Sequence, residues 1–316
     1  MRKRIALLLS IVLLTGCAAS PASPANPAPP AEKIEQITLD EETLVTGEAA
    51  PQEIITYEAI VIQYGDTKYA ENDIPLFTCE FNKPHLIAYR EDGTAISSPD
   101  GMQYVDGKPA QTPAEQQALS ITEAFNAEFA HWKSMDSFED MIQAAREDLA
   151  FHQEEGFEWT VSHFLEMNSS VYQTEQMVSV YAIVSSYTGG AHPNHIFWSW
   201  NFDLTTREFF AAEGLASDVE EFSQRVTNEI IRQAQIKASA NNMLPEEFFW
   251  EDYRDIAANW SSCAVAFDEN GMTVGYSPYE MACYAAGPQE FELTYSYLKP
   301  GLSEHGQELL GLLEDE

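Results

Sequence analysis

His192 and His195, three residues apart with Asp203 further along the same stretch, are the side chains whose types could do chemistry. Imidazole titrates near neutrality and ligates divalent metals, so such a set could serve as a metal centre or an acid–base pair. Pro193, however, pushes His192 towards extended backbone, which removes the helical spacing that makes two histidines converge. The favoured reading is a loop in which Gly189 and Gly190 permit positive φ and the side chains of His192 and Asn194 bond to backbone. No metal and no cofactor are expected. Tyr187, Phe197, Trp198 and Trp200 could form a platform for sugar rings or anchors for a protein. Period-two alternation sets Trp198 and Trp200 on one face with Ile196, and Phe197 on the other with Ser199 and Asn201. One face must be core, so burial is the expectation for the tryptophan face. There is no Gly-x-Ser-x-Gly elbow and no phosphate-cradling glycine loop. Carboxylates are too many for a catalytic pair to stand out, and a non-enzyme is expected.

These residues sit in an acidic chain. Its 316 residues carry 16 Lys+Arg against 51 Asp+Glu, a formal charge of −35. That field disfavours nucleic acid and anionic lipid, and favours cationic proteins, basic peptides or divalent ions. A solvated surface is the plainer account of the same carboxylates. Hydrophobic residues make up 45%, enough for a packed core.

The amino terminus has Arg2-Lys3-Arg4, an uncharged apolar run over residues 5–14, and then Leu14-Thr15-Gly16-Cys17. A basic region, a short apolar region and a small-residue cleavage site make a secretory signal, residues 1–16, too short to span a bilayer. The last four residues resemble a bacterial lipobox, which implies lipidation of Cys17 and placement at the extracytoplasmic face of a bacterial membrane. Cleavage there would remove three basic residues and no acid, leaving −38. Residues 17–52, rich in Pro and Ala and then acidic, are expected to be a tether. Membrane contact is expected through the lipid alone. Cys79, Cys263 and Cys283 then remain, an odd count. A bridge between Cys263 and Cys283, which flank one expected hairpin region, and buried free thiols both stay open.

Strand patterns occupy residues 54–64, 76–81 and 85–89, followed by turn chemistry over residues 91–108. Thr112-Pro113-Ala114-Glu115 reads as a capping box with Pro at the first helical position. Ser137-x-x-Asp140 opens a second helix that Gly156 stops. Alternation resumes from Phe157, with long strands expected over residues 173–186 and 196–204. Ser217-x-x-Glu220 is read as the cap of another helix, and Pro245 as the start of a shorter one running past Tyr253. A hairpin turns at Asp268-Glu269-Asn270-Gly271, and a strand closes at residues 290–297. The expected class is α+β, mostly antiparallel sheet with packed helices, in two closely associated halves. The expected domains are residues 53–190 and 191–300, with an acidic tail at 301–316.

Ser186-Tyr187-Thr188-Gly189-Gly190-Ala191-His192-Pro193-Asn194, with Asn201-Phe202-Asp203-Leu204-Thr205, resembles the junction of two domains of unknown function, 4163 and 3298. These occur together in the RsiV-like ectodomain family, in lysozyme-sensing anti-sigma factors and as the accessory region of a peptidoglycan deacetylase. Phe267-Asp268-x-x-Gly271, Ser277-Pro278-Tyr279-Glu280 and Tyr284-Ala285-Ala286-Gly287-Pro288 agree with it. The likeness covers about residues 54–298. Thr206-Arg207 stands where relatives more often have a glycine turn, and Cys283 where they often have proline. The chain shows neither a sigma-binding segment nor a deacetylase domain, so neither activity carries over. The resemblance implies a domain that binds at the cell wall, its candidate loop being Tyr187, Gly189, Gly190, His192, Pro193, Asn194, Asp203, Pro278 and Tyr279. The expected ligand is a cationic protein such as lysozyme, or peptidoglycan. The alternatives are a peptidoglycan-modifying hydrolase or deacetylase built on His192, His195 and Asp203, or a structural envelope module.

Overall fold

The computed structural model describes residues 53–97, 107–132 and 135–313. Cys17, the expected signal and the whole of the expected tether lie outside them. The chain divides into residues 1–50 and 51–316, and the architecture is that of the second unit. It is α+β. Eight strands make one large sheet: β1 (Ile55–Tyr69), β2 (Pro75–Arg90), β3 (Ala95–Ser97), β4 (Gly107–Pro109), β5 (His163–Gln173), β6 (Met177–Tyr187), β7 (Asn194–Asp203) and β8 (Glu208–Phe210). Their order is β4-β3-β2-β5-β6-β7-β8, with β1 on the other edge of β2. Among the described residues only β2–β5 and β3–β4 run parallel. Between β4 and β5 come α1 (Pro113–Glu128) and α2 (Glu139–Glu155). After β8 come α3 (Val219–Ala240), α4 (Pro245–Phe248) and α5 (Tyr253–Ala258). A three-stranded antiparallel sheet follows, β9 (Ala264–Phe267), β10 (Gly271–Tyr276) and β11 (Gln289–Thr294), in the order β11-β10-β9. The chain closes with α6 (Tyr295–Leu298) and α7 (Glu304–Leu309).

Strand alternation distributes two cores. Val178, Val180, Ala182 and Val184 of β6 face α1 and α2, meeting Phe125, Phe129, Trp132, Ile142 and Leu149. Met177, on the opposite face of β6, joins the second core, where Phe222, Val226 and Ile230 of α3 pack with Trp260, Val274 and Phe291. The expected boundary at residue 190 falls between two strands paired along ten residues. Each side contributes across it: Phe202 and Leu204 belong to the first core. Residues 301–316, read from the sequence as a tail, place Leu302, Leu309 and Leu310 in the second core.

Sheet edges are closed by side chains. Leu86 on β2 lies between the reach of β5, which pairs through Asn82, and that of β3, which starts opposite Ala88. Asn126 of α1 fills the gap, accepting from the Leu86 N–H at 2.8 Å and donating to its C=O at 2.9 Å. Pro84 shares the parity of Leu86, so the N–H it lacks belongs to that open edge. This is why residues 76–81 and 85–89 form one strand through a proline. On β1, Gln173 accepts from Ala59 N–H and donates to Tyr57 C=O, both at 2.8 Å. On β9, Ser199 Oγ accepts from Val265 N–H and Ser179 Oγ from Phe267 N–H, each at 2.8 Å, while Asn201 donates to Val265 C=O at 2.9 Å.

The α1 cap forms as its residues require: Thr112 Oγ1 accepts from Glu115 N–H, and Pro113 opens the helix. Glu115 reaches back to Gln111 N–H at 2.6 Å and is gripped by Arg90 Nε at 2.5 Å and Nη2 at 2.9 Å. The Arg90 guanidinium, ahead of the Gln111 N–H, holds the Glu115 carboxyl down at about 2, against an ordinary 4.5. A depressed folded pKa stabilises fully above the unfolded value and loses that contribution as pH falls through the folded one. Glu115→Gln is therefore expected to lower stability by about 2 kcal/mol at pH 7. It should also flatten the decline between about pH 4.5 and about pH 2, measured by urea unfolding across that range; an unchanged acid slope would sink the assignment.

Other caps shift locally. α2 begins at Glu139 with Phe138 before it, and Ser137 lies in a 3-10 turn; Gly156 ends the helix at φ 70°. α3 is capped by Asp218, whose carboxylate takes the Glu221 N–H, one residue later than Ser217. Phe249 at ψ 175° separates α4 from α5, so the single helix expected there is two. Residues 174–176 turn between β5 and β6, and β5 begins at His163 instead of continuing from Phe157. The closing strand stops at Thr294 and turns into α6. Among the described residues no helix is long and apolar enough to cross a membrane.

Candidate binding site

The connection from β6 to β7 carries the first motif. Gly189 and Gly190 hold φ of 93° and 99°, and Tyr187 donates its hydroxyl to Gly190 C=O at 3.0 Å. A Cβ at Gly189 would stand 3.3 Å from Asp148 Oδ2. His192 Nδ1 lies 3.0 Å from Pro193 C=O, which requires the proton on that nitrogen. Its ring stacks on Tyr284, centroids 3.7 Å apart and planes 20° apart. Tyr284 in turn donates to Pro193 C=O at 2.9 Å.

The second motif therefore meets the first. In the connection after β10, Ser277 Oγ accepts from Phe197 N–H at 3.1 Å, and Ser277 N–H donates to Glu280 Oε2 at 2.5 Å. Tyr279 sits at φ 73°, a region a bulky residue occupies only when its surroundings over-determine it. Its N–H donates to Ala282 C=O and its C=O accepts from the Trp250 indole, both at 3.1 Å. The Tyr279 ring lies 5.6 Å from Tyr284 and 6.5 Å from His192. Tyr279 is 55% exposed and Trp250 38%, so an aromatic surface faces solvent.

Beside it, a cleft of about 330 Å³ runs along residues 196–200, bounded by residues 262–264 and Glu280. Desolvation there raises the Glu280 carboxyl, outweighing the bonds from Ser277. Burial pushes the Cys263 thiol up to about 12. Cys263 and Cys283 are free, as is Cys79, so the bridge left open by the sequence is not formed. Cys263 lies just ahead of β9 while Cys283 lies beyond the 277–282 turn, off the paired strands.

The remaining candidates disperse. His195 Nδ1 pairs with Ser185 Oγ across the β6–β7 ladder at 2.8 Å. Asp203 is eight residues further along β7, about 27 Å at strand rise. It is buried, and its carboxylate takes Thr205 N–H, Thr205 O–H and Thr206 N–H. Burial alone would raise it, but these bonds prevail and hold it below the carboxylate range. Asp203 is thus held far from the His195 of the hydrolase alternative. Among the described residues no three His, Cys, Asp or Glu side chains are grouped to hold a metal ion. Trp198 and Trp200 are partly buried against the first core, with ring centroids 5.8 Å from Trp132 and 5.0 Å from Phe129 respectively. Phe197 is buried on the opposite face beside Tyr181. Sequence reasoning missed the support beneath Gly189: buried His163, whose Nε2 lies 3.0 Å from Asp148 Oδ2 on α2. Nothing in spacing links residues 148 and 163 across a helix end. Trp250 was missed too, since it falls within the stretch expected as one helix from Pro245 past Tyr253.

An α+β body of this kind, with a helix-backed small sheet laid on a larger one, has relatives. Residues 215–296 match the family described as Protein of unknown function (DUF3298), so a DUF3298 domain spans α3 to the start of α6 and contains the second motif. Among solved structures, a DUF3298 family member from Bacteroides fragilis is 15% identical, with 83% of this chain and 99% of that chain covered at a TM-score of 0.50. A DUF3298 family protein from Pseudomonas aeruginosa PAO1 is also 15% identical, with 79% and 95% covered at 0.45. At that identity the likeness to the Bacteroides fragilis protein is one of fold alone. No curated protein matches this chain.

Proposed function

We propose that this chain is a non-catalytic, RsiV-like ectodomain, lipid-anchored through Cys17 at the extracytoplasmic face of a bacterial membrane, that binds a cationic protein of the lysozyme type. One observation carries the reading. Two motifs about ninety residues apart in sequence converge on a stack of half-buried His192 and Tyr284 beside exposed Tyr279, which is held in a strained backbone state. Strain of this sort clusters where a surface is kept in readiness for a ligand. The charge of −35 adds long-range attraction for a basic partner, and aromatic side chains supply anchors once it arrives. A second reading, a wall polymer, is favoured by the same stack, because tyrosine faces suit sugar rings.

Binding to lysozyme should weaken at least tenfold between about 50 mM and about 500 mM salt, since the Debye length falls to a few ångströms over that range. Tyr279→Ala should weaken it roughly tenfold at fixed salt. Isothermal titration measures both. Absence of any lysozyme binding at low salt, with retention on peptidoglycan, would replace the first reading by the second. Mass spectrometry of native material reads the anchor directly, and an unacylated chain retaining Met1 would remove it.

A further inference from the structure

Interrupted strand edges in this protein receive a side chain in place of a strand: Asn126 at Leu86, Gln173 at Tyr57 and Ala59, Asn201 and two serines at β9. β7 differs. Leu204 N–H bonds to Gln176 on the β6 side, and Phe197 N–H bonds to Ser277 on the other. By ladder parity, even-numbered residues of β7 face β6 and odd-numbered ones face outward. β8 pairs with residues 201–203 and then leaves. Phe197 C=O, Ser199 N–H and Ser199 C=O therefore point outward where, among the described residues, no strand stands. The cleft of about 330 Å³ lies at these residues.

We propose that residues 196–200 of β7 accept an extended basic segment of a protein partner as an added strand, an inference that rests on the cationic-partner reading above. An open strand edge supplies backbone bonds, and the walls supply selection. Five residues span about 17 Å, the length of a short strand. Glu280 stands on one wall and no Lys or Arg lines the cleft. Trp200, which lines the cleft, donates its indole N–H to Glu128 at 3.3 Å. Alternation in the incoming strand would set cations towards Glu280 and apolar side chains towards Trp198 and Trp200. The overall charge of −35 favours the same occupant.

The test uses the full chain and an octapeptide of alternating Lys and Val, with two copies N-methylated at all Lys or at all Val amides. The plain peptide is expected to bind, to slow hydrogen exchange at the Ser199 amide and to displace lysozyme. At least one methylated copy, equal in charge and side chains, should bind about tenfold more weakly, the loss expected when two or so backbone bonds cannot form. Equal binding of all three peptides, or an unprotected Ser199 amide, overturns the added strand. Lysozyme binding that the peptide does not displace also overturns it, and leaves the cationic-partner reading in place. Peptide binding with Ser199 protection but no lysozyme binding supports the strand edge and removes lysozyme as the partner.

Discussion

Gly271→Ala is expected to destabilise the protein by about 3 kcal/mol or more, seen as a lower urea midpoint with an unchanged slope. The loss follows from backbone proximity. A Cβ at Gly271 would fall 2.0 Å from Leu293 O, 2.8 Å from Leu293 C and 2.9 Å from Thr294 Cα. All three are main-chain atoms of β11, paired to β10 through Gly271↔Thr294, so no rotamer change relieves the clash. The strand must move, and Val274, Phe291 and Leu293 of the second core move with it. Gly214→Ala is the control, since a Cβ there meets nothing within 4 Å and should change stability by less than about 0.5 kcal/mol. Equal midpoints for the two variants would refute the account. Because β10 leads directly into residues 277–287, the Gly271 variant should also lose ligand binding.

The sequence marked Gly271 as part of a turn, and the turn is there: Asp268 Oδ1 accepts from the N–H groups of Asn270 and Gly271. What it could not reveal is that β11, some twenty residues on, presses against that glycine. The same division runs through the molecule. Features set within one turn of chain were legible: the Thr112 cap, the Gly156 stop, the alternation of β7, the α+β class. Pro84 inside β2 was not, because its tolerance depends on an edge that Asn126 closes from another element. Ser217 and Asp218 are equally good capping types, and only packing of α3 chose between them. Both motif loops were visible as sequence. Their stacking through His192 and Tyr284 was not, because it depends on how the small sheet lies across the large one. The burial of Leu309 and Leu310 was hidden for the same reason, behind an acidic composition.

What fixes that placement is a short polar chain, and breaking it is the other large effect expected. Phe267 N–H donates to Ser179, Ser179 O–H donates to Asn201 Oδ1, and Asn201 Nδ2 donates to Val265 C=O. Ser179 and Asn201 are 1% and 5% exposed, so water cannot stand in for a lost partner without opening the joint. Asn201→Leu keeps the volume roughly but orphans the Ser179 proton and the Val265 carbonyl. Buried groups left unpaired cost about 1–3 kcal/mol each, so a loss of about 3 kcal/mol is expected. Ser179→Ala alone should cost about 2 kcal/mol by orphaning Phe267 N–H. Since the two side chains share one bond, the double variant should lose less than the sum of the singles by about 1 kcal/mol. Strict additivity in that cycle would mean the network does not join the sheets. If the joint does loosen, the aromatic stack and the β7 cleft should loosen with it, and ligand binding should fall in Asn201→Leu although the residue touches neither.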